Sequence, residues 1–184
     1  MTSYQCRALV ASPYLHDPNF MRTVVYLLRH DQEGALGLIL NRPKNQTVGE
    51  MFPEISELSI DADSPMFYGG PVYGPVMLLQ ACRVSDEEGQ IMLVACDQDR
   101  IAEAISGIDT QAHPFRVFEG HSGWGPLQLE SEMAEGSWHV WDIMPEQLLA
   151  EPDELWELAI REIGHRVVTS GIPDSLIPEN PMTN

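Results

Sequence analysis

The chain has 184 residues, of which 43% are hydrophobic, and its formal net charge is −18 with an isoelectric point near 4.4. This length indicates a single domain with enough apolar residues to form a core. Because lysine and arginine together number only ten, the acidic surface repels nucleic acid and anionic membranes, which disfavours direct DNA binding.

Neither export nor membrane insertion is predicted. The first residues, MTSYQCRALV, lack a charged n-region and a long apolar h-region. No apolar run approaches the ~18–20 residues that cross a bilayer, so we expect a cytoplasmic protein without a membrane partner. The cysteines Cys6, Cys82 and Cys96 are odd in number and form no C-x-x-C pair, which argues against a disulfide framework.

Strand patterns dominate the first half of the chain. A short apolar run at residues 8–11 is followed by β-rich runs at 23–28 and 35–40, and the polar turn between these two predicts a hairpin. Pro43 is expected to end the second of these strands. Thr47 with Glu50 predicts a capping box and a short helix.

The second half mixes strands with helices. Strands are predicted at 66–68, 116–118 and 138–141, a second hairpin at 76–82 and 91–96, and helices at 99–106, from Pro126 to Gly136 and from Pro152. The predicted class is α+β, with a mostly antiparallel or mixed sheet and about four helices. We expect one domain over residues 1–170 and a loose, proline-rich tail over 171–184.

The stretch GHSGWG at residues 120–125 raises the question of a catalytic serine. A nucleophile elbow reads G-x-S-x-G, but Trp124 occupies the position of its second glycine. Only His139 and His165 follow as candidate bases, and His139 falls in a predicted strand. Trp124 is therefore expected either to fill the core or to line a groove. Glu130, Glu132 and Glu135 are predicted to form a solvated acidic face.

The remaining residue patterns favour binding over catalysis. The six histidines form neither H-x₃-H nor H-E-x-x-H, so no metal site and no cofactor are predicted. Gly69 and Gly70 lack the lysine and the spacing of a phosphate loop. Arg42 has the fork geometry to bind a carboxylate or phosphate, although one of the many acidic side chains of this chain would suit it equally.

Several blocks together resemble the AlgH/YqgE family. They are Ala11-Ser12-Pro13 with Leu15, Asp17-Pro18 and Phe20, then HDQEGALGLILNRP at 30–43, FYGGPV at 67–72 and GHSGWGPLQLESEMAEGSW at 120–138. The resemblance implies a bifurcated, mostly antiparallel sheet that curls into a pseudo-barrel, in a bacterial cytoplasmic protein. One member is labelled a transcriptional regulator of alginate synthesis, and the resemblance implies no catalytic residues. Leu127 departs from the family, which often has glycine there.

Our leading hypothesis is a non-enzymatic binding or regulatory protein, with an unidentified protein or small molecule as its ligand. The predicted binding groove consists of glycines, prolines, a tryptophan and polar side chains, namely Asn41, Arg42, Gly69, Gly70, Pro71, Gly123, Trp124, Gly125 and Gln128. One alternative is a hydrolase or transferase that uses Ser122 or a histidine–carboxylate pair. The other is a regulator that binds DNA directly, against which the charge argues.

Overall fold

A computed structural model of the chain describes residues 2–53, 62–82, 90–95, 115–145, 147 and 150–169. In this part of the chain, ten strands form two five-stranded sheets, accompanied by three α-helices. The strands are β1 (Ala8–Ala11), β2 (Val24–Asp31), β3 (Gly34–Ile39), β4 (Pro43–Thr47), β5 (Pro65–Tyr68), β6 (Met77–Cys82), β7 (Gln90–Ala95), β8 (Phe115–Glu119), β9 (Ser122–Trp124) and β10 (Trp138–Trp141). The helices are α1 (Val48–Met51), α2 (Gln128–Ala134) and α3 (Pro152–Thr169).

The first sheet is antiparallel throughout and is buried on both faces. Its order is β10-β1-β2-β3-β9, and all four residues of β1 are inaccessible to solvent. Because successive strand residues point to opposite faces, Ala8 and Val10 join one apolar cluster while Leu9 and Ala11 join another. Leu155 and Ala159 of α3 pack in the first cluster, and Leu129 of α2 packs in the second.

The second sheet is mixed and shares the first apolar cluster with the first sheet. Its order is β4-β5-β8-β6-β7, in which β5 and β8 are parallel and the other neighbours are antiparallel. Phe67 and Phe118 of this sheet lie in the same cluster as Val10 of β1. Its opposite face packs Met66 and Leu78 against residues around α1. The core therefore lies between the two sheets, with smaller clusters on their outer faces.

The two hairpins predicted from the sequence are present. Asp31 Oδ1 accepts a hydrogen bond from Glu33 N at 2.8 Å, which closes the turn between β2 and β3. Strands β6 and β7 pair in an antiparallel register, and their predicted turn lies outside the described residues. Pro43 does not end β3 as predicted. The strand ends at Ile39, and Pro43 begins β4, an edge strand where a missing N–H is tolerated.

Helix starts depend on local caps. Some of these starts were predicted correctly from the sequence, and one was not. Thr47 forms the predicted capping box with Glu50 and begins α1. The helix predicted from Pro126 begins instead at Gln128, because Leu127 has a left-handed backbone with φ of 62°. The helix at Pro152 is confirmed, and the one predicted at 99–106 lies outside the described residues.

The coarse prediction of a mixed α+β fold is confirmed, whereas its details are only partly tested. The described residues contain three helices rather than four, and neither of their sheets closes into a barrel. The pseudo-barrel therefore stays a prediction. The single domain over 1–170 also stays a prediction, and the tail at 171–184 lies outside the described residues.

The segment that follows β5, at Gly69 and Gly70, contacts the end of β3 and the connection by which the chain passes from β8 of the second sheet to β9 of the first. Ile39 N donates to Gly69 O at 2.9 Å, and Gly69 N donates to Glu119 O at 2.8 Å. A Cβ atom on Gly69 would lie 2.2 Å from Gly120 O, and one on Gly70 would lie 2.4 Å from Ser122 N. Gly70 and Gly120 also have positive φ angles of 149° and 72°. Only glycine allows the two backbones to approach so closely.

Substitution of Gly70 by alanine should test this crossing. The new Cβ would meet backbone atoms of His121 and Ser122 in a conformation that L-residues rarely adopt, so we expect a loss of about 2–4 kcal/mol of unfolding free energy. The matched control is Gly123→Ala, whose Cβ would have its nearest neighbour at 3.7 Å. We expect this control to change stability by less than about 0.5–1 kcal/mol. Urea unfolding measures both, and equal midpoints would contradict the steric argument.

Candidate functional site

One pocket lies where the β3–β4 connection meets the start of α3, and its walls are polar and aromatic. Its volume is about 350 Å³. We call it the arginine pocket, and it is lined by Met21, Arg22, Asn41, Arg42, Pro152, Asp153 and Trp156.

Asn41 and Arg42 have different roles in the arginine pocket. Asn41 Oδ1 accepts from Val24 N and its Nδ2 donates to Arg22 O, both at 2.9 Å. The amide thus braces the wall, and these bonds use one of its two lone pairs and one of its two N–H groups. Arg42 Nη2 donates to Met21 O at 2.9 Å. A guanidinium carries five N–H groups, so Arg42 retains donors for a bound anion.

Arg22 and Trp156 form the opposite wall. The Arg22 guanidinium carbon lies 4.8 Å from the centroid of the Trp156 ring, and its Nη2 lies 2.7 Å from Glu157 Oε1. Trp156 Nε1 donates to Ala11 O at 2.8 Å, which fixes the indole. Because Arg22 is already paired with a carboxylate, its charge is largely balanced.

Buried Arg116 holds together the two segments on which the arginine pocket depends. Its Nη1 donates to Leu40 O at 2.9 Å and its Nη2 to Ala150 O at 2.7 Å. The guanidinium also lies over the Phe67 ring at 4.6 Å. Burial lowers the pKa of Arg116 to about 10, so the side chain remains charged at neutral pH. Its bonds tie the residue before Asn41 to the approach to α3.

A second pocket, of about 270 Å³, lies beside the glycine loop, the name we give to residues 69–76. Lys44 and Glu119 form an ion pair at this glycine-loop pocket. The full lining comprises Lys44, Tyr68, Gly70, Pro71, Val72, Tyr73, Glu119 and Gly120. The pocket therefore combines one balanced charge pair with aromatic and apolar walls.

The glycine loop has a fixed backbone and an exposed tip. Val72 N donates to His121 O at 2.9 Å, and His121 N donates back to Val72 O at 3.0 Å. Tyr73 is nevertheless 91% exposed, and Val72 is also exposed. Tyr73 was not predicted from the sequence, because one aromatic residue in an irregular loop leaves no periodic signal.

Trp124 fills the core and does not line a groove. It is 5% exposed, stacks on Phe20 at 6.0 Å and meets the edge of Trp138 at 5.9 Å. Its Nε1 donates to Glu132 Oε2 at 2.9 Å, and Trp138 Nε1 donates to the same oxygen at 2.8 Å. This carboxylate joins two indoles that lie on different strands.

Gly125 and Gln128 extend the network around Glu132. Gly125 N donates to Gln128 Oε1 at 3.0 Å, and Gln128 Nε2 donates to Glu132 Oε1 at 2.9 Å. The prediction of a solvated acidic face is therefore wrong for Glu132. It is also wrong for Glu130, which contacts His30, and it holds for exposed Glu135.

The residues of the predicted groove occupy four different places. Asn41 and Arg42 line the arginine pocket, whereas Gly70 and Pro71 line the glycine-loop pocket. Gly69 is buried at the backbone crossing. The remaining four residues, Gly123, Trp124, Gly125 and Gln128, lie in or beside the Glu132 network, with Gly123 exposed on β9. Binding of a ligand at any of these residues stays a prediction.

The side chains considered for catalysis are turned away from solvent. Ser122 is fully buried, and its Oγ donates to Gly69 O at 3.1 Å. His30 and Glu130 form a histidine–carboxylate pair, with Nε2 and Oε1 3.2 Å apart. Tyr4 N donates to His30 Nδ1, so in the neutral ring Nε2 carries the proton and donates to Glu130. Both ring nitrogens of this buried histidine are occupied.

Within the described ranges, no three His, Cys, Asp or Glu side chains converge on one point. None of the described helices is both long enough and apolar enough to cross a bilayer.

Replacement of Glu132 by alanine should destabilise the fold. The change leaves the N–H groups of Trp124 and Trp138 without their acceptor, and we expect a loss of about 2–4 kcal/mol. Glu135→Ala, on the exposed end of the same helix, is the control and should change stability by less than about 0.5 kcal/mol. Denaturant unfolding followed by tryptophan fluorescence measures both. Similar losses of unfolding free energy for the two variants would show that Glu132 has no special structural role.

Replacement of Leu127 by glycine should stabilise the fold. Leu127 is 68% exposed and has φ of 62°, so its side chain contributes little burial while its backbone is strained. Relief of about 1–2 kcal/mol of strain exceeds the about 0.5–1 kcal/mol of extra chain entropy that glycine loses. Leu127→Ala retains a Cβ and is the control. A melting temperature for Leu127→Gly at or below that of Leu127→Ala would contradict this explanation.

Comparison with known proteins agrees with the motifs. A family model described as AlgH-like matches residues 8–168. A UPF0301 protein of Streptomyces coelicolor is 36% identical over 185 residues, covering 95% of this chain and 94% of that protein. A UPF0301 protein of Myxococcus xanthus is 35% identical over 161 residues, covering 85% of this chain and 88% of its own.

Two solved structures share the fold. A crystal structure of a Corynebacterium diphtheriae protein has a TM-score of 0.72 at 20% identity, with 88% of both chains covered. The solution structure of AlgH from Pseudomonas aeruginosa has a TM-score of 0.64 at 24% identity, covering 100% of this chain and 99% of that one. At these identities the two structures support the architecture alone. The family model and the sequence relatives, however, cover most of the chain, and the chain belongs to the AlgH-like family.

Proposed function

We propose that this chain is a non-enzymatic binding protein whose glycine loop contacts a protein partner. The observation that carries the proposal is Tyr73, which is 91% exposed at the tip of a loop with a fixed backbone. Tyrosine supplies a large contact area with few rotatable bonds, and it is frequent at binding surfaces for this reason. Pro71 and Val72 add exposed apolar surface beside it.

The backbone of the glycine loop favours binding because it is already ordered. The paired hydrogen bonds between Val72 and His121 hold the loop, and Gly70 is locked into the crossing. A partner would therefore lose little free energy in ordering this surface. The adjacent pocket of about 270 Å³ can accept one side chain of that partner.

The charge of the chain favours a basic partner. At −18, the protein attracts cationic protein segments over long distances and repels nucleic acid. Regulation of transcription by this chain would then be indirect, through the partner. The cytoplasmic location predicted from the sequence remains part of this proposal. Burial of Ser122 gives the hydrolase alternative no support.

Affinity capture from a native lysate, with the captured proteins identified by mass spectrometry, tests the proposal. Tyr73→Ser removes the aromatic ring from a solvated position, so the fold should be unaffected. We expect at least one partner to be captured by wild type and to be reduced in amount by at least about tenfold with Tyr73→Ser. Such a loss is typical of a central interface tyrosine.

Tyr14→Ser is the matched control, since Tyr14 is also an exposed tyrosine, at 85%, and does not line the glycine-loop pocket. This variant should retain the same partner as wild type. A capture in which Tyr73→Ser retains every protein that wild type retains would show that the proposed surface is wrong.

A further inference from the structure

The arginine pocket contains two opposite charges that do not neutralise each other. Arg42 and Asp153 both line it. As far as the described residues go, no ion pair joins them, so their nitrogen and oxygen atoms lie more than 4.0 Å apart. Asp153 forms no hydrogen bond through its carboxylate within the same residues, and Arg42 has only its bond to Met21 O. A charged donor and a charged acceptor therefore face one small space.

The other charges at the pocket balance. Arg22 is paired with Glu157 at 2.7 Å and lies over the Trp156 ring. The pocket is thus close to neutral, although the whole chain carries −18. A dianion such as a phosphate monoester would meet Asp153 and Glu157 as well as Arg42. A ligand with one positive and one negative group avoids this repulsion.

The rest of the pocket wall is apolar and fixed. Met21, Pro152 and Trp156 supply carbon surface, and Trp156 is held by its bond to Ala11 O. Arg116 and Asn41 fix the backbone on both sides. The volume of about 350 Å³ lies at the small end of the range for ligand sites.

We propose that the arginine pocket binds a free α-amino acid with an apolar side chain. Its carboxylate would pair with the Arg42 fork and its ammonium group with Asp153, and its side chain would pack on Met21 and Trp156. This inference concerns a different pocket from the glycine-loop proposal and does not depend on it.

Nuclear magnetic resonance with three small probes tests the inference. L-leucine carries both charges, 4-methylpentanoate lacks the amine, and 3-methylbutylamine lacks the carboxylate. The indole N–H signal of Trp156 reports on the pocket, while that of buried Trp141 serves as an internal reference. We expect L-leucine to shift the Trp156 signal with a Kd below about 1 mM, and each truncated probe to bind at least about tenfold more weakly.

Substitutions of Arg42 and Asp153 test the contacts proposed for the carboxylate and the ammonium group of the ligand. Arg42→Gln and Asp153→Asn should each weaken L-leucine binding by at least about tenfold, the effect of losing one charge-assisted contact. Arg29→Gln removes an exposed arginine on β2 that pairs with Asp31 and does not line this pocket, and it should bind as wild type does. The Trp141 signal and the urea midpoint verify that every variant is folded.

Three outcomes would overturn the inference. One is the absence of any Trp156 shift at about 10 mM L-leucine, a concentration that would reveal even weak binding. Another is equal affinity for L-leucine and 4-methylpentanoate, which would remove Asp153 from recognition. The third is unchanged binding by folded Arg42→Gln, which would place the ligand elsewhere.

Discussion

At the backbone crossing, Gly69 and Gly70 lie against Gly120 and Ser122 with no room for a Cβ atom. Both sheets meet at this contact, since Gly69 follows β5 of the second sheet and accepts a hydrogen bond from Ile39 of β3, while the opposing segment leads from β8 into β9. The crossing directly follows the parallel pairing of β5 with β8 and holds the start of the glycine loop. The loop that exposes Tyr73 therefore depends on glycines that no residue with a side chain could replace.

The motifs that identify the family mostly describe this internal architecture. Trp124, Gln128 and Glu132 form one hydrogen-bonded cluster around two indoles. The two buried indoles at its centre tolerate little change, because interiors are tightly packed and buried polar groups require partners. Ligand choice in this chain would instead depend on surface side chains such as Tyr73 and Asp153, which interior packing does not constrain.

Local features were predictable from the sequence, and long-range ones were not. The capping box at Thr47 and the turn closed by Asp31 each depend on residues within four positions of one another. Trp124 could have filled the core or lined a groove, and the outcome was decided by Phe20, which is distant in the sequence. The helix start at Gln128 was missed because propensity does not reveal that Leu127 adopts a left-handed backbone.

The predicted groove failed to form one surface for a similar reason. Loops that carry glycine, proline and polar residues are all suited to binding, and the sequence does not state which of them meet. Arg42 and Lys44 are only two positions apart, yet they line different pockets. Arg42 lies before β4 and Lys44 lies within it, where the register with β5 is irregular, and such an irregularity has no signature in composition.

The position of β1 also determines when the fold can be completed. Ala8 pairs with Tyr26 on one side and with Trp141 on the other, so β1 lies between β2 and β10, the second and the last strand of the described residues. During synthesis, β1 and β2 can pair early, but the other edge of β1 has no partner until β10 leaves the ribosome. All four residues of β1 are apolar, and an unpaired apolar strand edge readily pairs with strands of other chains. Completion of the first sheet is therefore a late, long-range step, and we expect the nascent chain to be prone to aggregation until β10 has emerged.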